Sequence, residues 1–174
     1  MVTLKGKHIN LRALEPEDLE FVYEIENDEA IWEFSNTIAP FSRYTIKQYL
    51  ENSHKDIFEV KQLRLVITAQ TNDALGLIDI FDFDFINRRA GVGILVKSIN
   101  NRQKGYGSEA LQLLMDYCKT HLSLHQLYCN VSEDNEISLK LFKKLGFEVV
   151  GLKKDWNKVK GTFKNEYLLQ HIFN

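Results

Sequence analysis

The sequence predicts a mixed α+β fold: one domain over residues 1–174, with a central, mostly antiparallel twisted sheet and about four flanking helices. Short apolar runs are separated by polar turns at Thr71-Asn72-Asp73 and Asn87-Arg88-Arg89, which is typical of a strand meander. Apolar residues recur at helical spacing in the segment 110–118. Two further strand-like runs surround Lys160-Gly161, which indicates a closing hairpin.

In the N-terminal half, residues 9–14 alternate between apolar and polar side chains, as a first strand does. Pro16 then stands where the first turn of a helix tolerates proline, and Leu19, Val22 and Tyr23 follow at helical spacing. A second helical pattern follows Ser42 and extends to about residue 53. Three strands should come next, at residues 63–68, 74–83 and 90–96.

The C-terminal half is predicted to begin with a helix over residues 108–121 and a buried strand over 126–131. A helix over 135–145 should then end at Gly146, since glycine favours the left-handed conformation that closes helices. Residues 147–152 and 167–172 are expected to form the hairpin strands.

Composition narrows the function classes. Hydrophobic residues make up 44% and charged residues 26%, with a net charge of −2, which does not support general nucleic-acid binding. The start lacks an apolar signal region and no 18-residue apolar run occurs, so we expect a soluble cytoplasmic protein that does not span a membrane. Cys118 and Cys129 are expected to be reduced, mostly buried thiols, and no metal site is expected.

Charge is spread unevenly along the chain. Between Ala13 and Ser42 there are nine acidic residues and no Lys or Arg, whereas lysines gather after residue 139. The simplest interpretation is a solvated acidic helix and a solvated basic hairpin. The alternative is an acidic lobe that attracts a cationic substrate, opposite a basic half that holds an anionic cofactor.

The segment 102–107 reads R-x-x-G-x-G and links a predicted strand to a predicted helix. Two glycines allow a tight turn and close approach of a ligand, and the following helix start supplies N–H groups suited to phosphate. Arg102 and Lys104 add positive charge. Gly105, Gly107 and Ala110 also satisfy the dinucleotide pattern G-x-G-x-x-A, and a plain helix start is a third interpretation.

A second motif, N-x-x-S-x-x-L-F-x-x-x-G-F, runs from Asn135 to Phe147. The two motifs in this order, after a strand, resemble the acyl-CoA site of the GNAT superfamily of N-acetyltransferases. The resemblance covers most of the chain and is strongest to the branch of spermidine and ribosomal-protein N-terminal acetyltransferases. It implies a sheet that splays between two neighbouring strands, acetyl-CoA as cosubstrate, and a homo-oligomer in many members.

The resemblance also implies which residues would hold the cofactor. Backbone N–H groups of the 103–108 turn would surround the diphosphate, and the strand around Leu95 would pair with the pantetheine arm and polarise the thioester carbonyl. Asn135 and Ser138 would face the arm, although Asn135 is equally suited to capping a helix. The predicted cofactor residues are Ile94, Leu95, Val96, Arg102, Gln103, Lys104, Gly105, Tyr106, Gly107, Ser108, Asn135, Ser138, Phe142 and Lys144.

Two positions depart from the family pattern. Many relatives carry a Tyr as thiolate acid where this chain has Phe142, so Ser138 or an ordered water would donate the proton. Relatives often place a Glu base where this chain has Gly91, which makes Asp79 the first candidate base. Its alternative role is to bind an arginine. Direct attack in a ternary complex suffices, so an acyl intermediate on Cys129 is unnecessary.

The resemblance also implies that the acceptor enters between the first two helices and the strand hairpin. Trp32 and Glu33 combine an aromatic ring with an acid, which suits a cationic amine, and Asp79 and Asp82 are the further substrate candidates. The predicted acceptor is a polyamine-type amine. The alternatives are a protein N-terminal amine, a CoA-binding sensor without catalysis and, more distantly, an NAD enzyme.

Overall fold

A computed structural model describes residues 4–35, 37–53, 55–97 and 105–174, without the side chains of 33–35. The strands, in chain order, are β1 Ile9–Ala13, β2 Leu63–Ala69, β3 Ala74–Asp84, β4 Arg89–Val96, β5 Gln126–Ser132, β6 Glu148–Val159 and β7 Thr162–Ile172. The helices are α1 Leu19–Glu26, α2 Glu29–Ser35, α3 Arg43–Glu51, α4 Ile57–Val60, α5 Tyr106–Thr120 and α6 Glu136–Lys144, with a 3₁₀ turn Pro16–Asp18 before α1.

The seven strands form one sheet in the order β1-β2-β3-β4-β5-β7-β6. Every neighbouring pair is antiparallel except β4 and β5, which run parallel. That parallel pairing covers three residue pairs, from Arg89–Gln126 to Gly91–Tyr128, although both strands are longer. The two halves of the sheet therefore separate beyond Gly91, which is the splay that the resemblance implies.

The sheet buries a different cluster on each face, as the alternation of strand side chains requires. Helices α5 and α6 pack on one face, where Ile78, Leu111, Leu127 and Leu169 are among the fully buried residues. Helices α1 and α3 cover β2 and β3 on the other face through Val22, Ile46, Leu50, Val66 and Leu77.

Six α-helices occur in the part of the chain that the structure describes, so the expectation of about four was too low. The sequence pattern missed α2 and α4 because both are short. Helix α4 is a single turn capped by Asp56, whose carboxylate accepts a hydrogen bond from the backbone N–H of Phe58 at 2.7 Å. The hairpin of β6 and β7 is also longer than predicted. Its outer strand β6 is lysine-rich and largely exposed, so its apolar pattern did not indicate its full length.

Candidate cofactor and acceptor site

The predicted phosphate cradle begins where α5 begins. Gly105 is the N-cap residue with φ = 84°, a left-handed conformation that glycine adopts without a steric penalty. A Cβ on Gly107 would lie 3.6 Å from Leu141, 3.8 Å from Ile94 and 4.0 Å from Val96. The cradle, the end of β4 and helix α6 therefore meet at Gly107. Arg102, Gln103 and Lys104 lie outside the described residues.

A cavity of about 520 Å³ adjoins this helix start and is lined by Gly105, Ser108, Lys7 and Lys144, among others. It thus joins three predicted cofactor residues from two motifs. Glu109 also lines it but is held by His8, whose backbone N–H and ring Nδ1 lie 2.9 and 3.0 Å from its carboxylate oxygens. Burial alone would raise the pKa of Glu109, but the hydrogen bonds from His8 outweigh it and lower that pKa.

The predicted pantetheine slot lies beside half-buried residues of β4, Ile94, Leu95 and Val96. These residues follow the point where β5 stops pairing with β4, so one backbone edge of β4 faces the opening between the two strands. Tyr106 and Ser108, in the first turn of α5, are half-buried.

Asn135 caps α6: its side-chain oxygen accepts a hydrogen bond from the backbone N–H of Ser138 at 3.1 Å. The Ser138 hydroxyl takes no part in this cap, and the side chain is half-buried. Phe142, one turn further, is only 3% exposed and packs edge-on against Phe147, with ring centroids 5.0 Å apart. Phe142 is thus a core residue, and its ring offers no proton to a leaving thiolate.

Substitution of Asn135 should separate capping from cofactor contact. We expect Asn135→Ala to lower the free energy of unfolding by about 1 kcal/mol, because the cap is lost, and Asn135→Ser to retain most of it. If the amide also contacts the cofactor, both variants should bind CoA more weakly than the wild type. Urea unfolding and calorimetric CoA titration measure the two effects, and unchanged stability of Asn135→Ala would contradict the capping role.

Asp79 forms an ion pair that leaves it poorly suited to act as a base. The Nε and Nη2 atoms of Arg64 donate to its two carboxylate oxygens at 2.7 and 3.0 Å, and Nη1 of Arg64 donates to Glu26 at 2.5 Å. Burial would lower the pKa of Arg64, but Asp79 and Glu26 raise it above its ordinary value. The structure therefore supports the alternative role of Asp79, an arginine partner, and gives no support to its roles as base or substrate contact.

The space beside Gly91 is occupied by a side chain of the neighbouring strand β3. A Cβ at this position would lie 2.2 Å from Cε2 of Phe81, so the phenyl ring occupies the volume that a side chain at 91 would need. Asp82, the next residue, is exposed and accepts a hydrogen bond from the Tyr128 hydroxyl at 3.1 Å. It lines a groove of about 890 Å³.

The aromatic candidate of the N-terminal region is tied to the backbone. The indole Nε1 of Trp32 donates to the carbonyl oxygen of Glu26 at 2.8 Å, and the ring is half-buried. The side chain of Glu33, like the three cradle residues, lies outside the described part. Trp32 thus lies close to the ion pair of Glu26 and Arg64, but nothing brings it next to Asp82.

Cys118 and Cys129 are buried free thiols, as predicted, and burial raises the pKa of both well above the ordinary value. Such thiols are core residues rather than nucleophiles. Within residues 4–35, 37–53, 55–97 and 105–174, no group of three or more His, Cys, Asp or Glu side chains could hold a metal ion. Among the same residues, no helix is long and apolar enough to cross a membrane.

Three contributors to the site were missed by sequence reasoning: Phe81, Tyr128 and Lys7. Alternation along β3 did place Phe81 on the same face as Asp79, but its contact with Gly91 depends on the strand register. Tyr128 lies on a strand that looked fully buried, whereas its position opposite Gly91 marks the last paired residue before the splay.

The geometry agrees with the comparisons to known proteins. Residues 8–148 match the family described as acetyltransferase (GNAT) domain, so the chain belongs to the GNAT family of acetyltransferases, whose members use acetyl-CoA. The predicted fold class and enzyme class, an acyl-CoA-dependent N-acetyltransferase, are thereby confirmed.

Among individual proteins, the chain is similar to spermidine N(1)-acetyltransferase of Escherichia coli K12, with 28% identity over 172 residues, covering 94% of this chain and 90% of that protein. The crystal structure of spermidine N-acetyltransferase from Vibrio cholerae in complex with CoA and spermine superposes with a TM-score of 0.86 at 22% identity, covering 96% of both chains. A dodecameric structure of the Vibrio cholerae enzyme in an intermediate state gives 0.79 at 24% identity, covering 96% and 95%.

Proposed function

We propose that this protein transfers the acetyl group of acetyl-CoA to a primary amine of a small polycationic acceptor of the polyamine type. The observation that best supports this proposal is the short parallel pairing of β4 and β5, which ends at Gly91 and leaves an opening beside residues 94–96. That opening meets the start of α5 at Gly107, where a Cβ would already be in van der Waals contact with Ile94 and Leu141. The volume left by this glycine fits the close approach of a phosphate-bearing arm.

The residues divide the chemistry as follows. Backbone of residues 94–96 and the start of α5 would bind the arm and the diphosphate, with an N–H near Leu95 directed at the thioester oxygen. The neutral amine would then attack the carbonyl carbon as the C–S bond breaks, and the thiolate would take a proton from Ser138, which recovers one from solvent, or directly from a water beside it. The proton lost by the amine passes to solvent, since Asp79 is engaged by Arg64.

The polyamine class is supported by two observations. The exposed acids of the region from Ala13 to Ser42 include Glu15, Glu17, Asp28 and Glu29, and related spermidine acetyltransferases share the fold of this chain. A homo-oligomer is part of the proposal, because Val149, Val150 and Leu152 expose apolar side chains on the outer strand β6 and the Vibrio cholerae relative is described as dodecameric.

A steady-state panel with acetyl-CoA, detecting the free CoA thiol, tests the function. We expect kcat/KM for spermidine to exceed that for N-terminal peptides by about tenfold or more, equivalent to about 1.4 kcal/mol of transition-state stabilisation. Preference for the peptides would replace the polyamine with a protein N-terminus. Stabilisation by acetyl-CoA without turnover on any amine would make the protein a sensor, and stabilisation by NAD alone would overturn the CoA assignment.

Ser138→Ala should lower kcat on the preferred amine by about tenfold or more, since a positioned proton donor is removed while the α6 cap is retained. Ser132→Ala is the matched control, because this hydroxyl bonds Asp134 at 2.6 Å. An unchanged kcat in Ser138→Ala would assign protonation of the thiolate to water.

A further inference from the structure

Phe81 and Gly91 form a matched pair at the floor of the splay. The ring of Phe81 lies over two glycines of β4: a Cβ on Gly91 would be 2.2 Å from the ring, and one on Gly93 would be 3.8 Å from it. The wall beside Gly91 and Gly93 is therefore aromatic, and the Asp79 carboxylate on the same face of β3 is engaged by Arg64. Any charge that receives a cationic acceptor must come from further along the same face.

Tyr128 extends this aromatic wall. It is the last β5 residue that pairs with β4, and its ring meets Phe81 edge-on with centroids 5.9 Å apart. Its hydroxyl donates to Oδ2 of Asp82 at 3.1 Å. Burial, and then the hydrogen bond to Asp82, raise the pKa of Tyr128 to about 12, so the phenol remains a neutral donor at physiological pH.

Asp82 is held in an unusual conformation. Its φ is 49°, in the left-handed region, and it lies in the irregularity between Phe81 and Asp84 where the pairing of β3 and β4 is interrupted. Such a conformation costs on the order of 1 kcal/mol for a residue other than glycine and is frequent at ligand sites. The bulge directs this exposed residue into the 890 Å³ groove.

Two other charged residues around the groove, Asp84 and Arg89, form an ion pair. Asp84 accepts hydrogen bonds from the backbone and side-chain nitrogens of Asn87 at 2.9 and 2.7 Å, and Arg89 lies 3.3 Å from it. Lys61 also lines the groove. The hydrogen bond from the Tyr128 hydroxyl orients the Asp82 carboxylate at the edge of this groove.

We propose that Tyr128 is a positioning residue for the acceptor: it orients Asp82 to bind an ammonium group remote from the reacting amine, while Phe81 and Tyr128 contact the hydrocarbon chain between the two amines. This inference rests on the proposed function and assigns the groove as the acceptor's distal site. Aromatic faces beside a carboxylate suit a linear, multiply charged amine.

The test compares spermidine with a monoamine of similar length, because only the polyamine has a second charge for Asp82. Asp82→Asn should raise KM for spermidine about 10- to 100-fold, Tyr128→Phe should raise it several-fold, and both should leave the monoamine KM and the kcat of either substrate within about twofold. Asparagine is isosteric and tolerates a positive φ, so the bulge should survive in Asp82→Asn.

Asp116→Asn is the matched control, since it removes the same charge from the outer face of α5, where Asp116 bonds Gln112. Equal KM increases for the two amines, or no increase in either variant, would overturn the inference while leaving acetyl transfer intact. Failure of the wild type to acetylate any amine would instead refute the proposed function itself. Melting curves of all variants confirm that folded protein is compared.

Discussion

Replacing Arg64 with methionine is expected to lower the free energy of unfolding by about 3 to 5 kcal/mol, one of the two largest effects that the structure predicts. Arg64 lies between Asp79 on the neighbouring strand and Glu26 at the end of α1, with side-chain exposures of 18%, 22% and 17%. Methionine fills a similar volume but leaves two part-buried carboxylates without their cation. The ring of Tyr49, 5.6 Å from the guanidinium, closes the site from α3.

Arg43→Met provides an unusually close control. Arg43 also donates to both oxygens of a carboxylate, that of Glu20, and its guanidinium lies 4.1 Å from the ring centroid of Tyr23. Its side chain is 58% exposed and that of Glu20 is 61% exposed, so water screens the pair and the variant should lose far less stability than Arg64→Met. Urea unfolding of both variants measures the difference. Equal losses would show that burial does not determine the contribution of Arg64.

Gly76→Ala is expected to destabilise the protein by about 3 kcal/mol and also to weaken CoA binding. A Cβ on Gly76 would lie 2.1 Å from the carbonyl oxygen of Leu95 and 3.0 Å from Cα of Val96. Both atoms are backbone, so no side-chain rotation relieves the contact and β4 must move. The displaced segment is the edge proposed to bind the pantetheine arm.

Gly93→Ala is the matched variant on β4 itself. Its Cβ would meet only Cε1 of Phe81, at an ordinary 3.8 Å, so it should change stability by less than about 1 kcal/mol. Differential scanning calorimetry and isothermal titration with CoA report the two effects on each protein. A stable Gly76→Ala with unaltered affinity would mean that β4 has more freedom to shift than its pairing with β3 suggests.

The sequence predicted those parts of the site that depend on local chemistry. Glycines at 105 and 107 and the Asn135 motif predicted the helix starts, and the absent Tyr hydroxyl at Phe142 is explained by a ring buried against Phe147. Contacts across strands were not predictable in this way. Binding an arginine was one of the two roles predicted for Asp79, yet which arginine it binds follows from the register that sets Arg64 opposite it.

The same limit applies to the prediction of Asp79 as the base and to the aromatic wall of Phe81 and Tyr128 that we propose for the acceptor. An acidic residue on a half-buried strand face is compatible with either catalysis or an ion pair, and only the position of α1 brings Glu26 to the same arginine. Likewise, the sequence at Gly91 indicates only that a side chain is missing. In the structure, the ring of Phe81 occupies the volume of that side chain. Helix α4 was missed because one turn is too short to show a periodic pattern.

Because only three residue pairs join β4 and β5, the bound cosubstrate would also stabilise the sheet. A pantetheine arm carries amides like those of a strand. An arm lying in the gap would therefore act as a temporary eighth strand, and its hydrogen bonds would join the two halves of the sheet. When CoA leaves after each turnover, these hydrogen bonds would be lost. The sheet would thus be most rigid when acetyl-CoA is bound, and its greater flexibility without the ligand would allow CoA to be exchanged for acetyl-CoA.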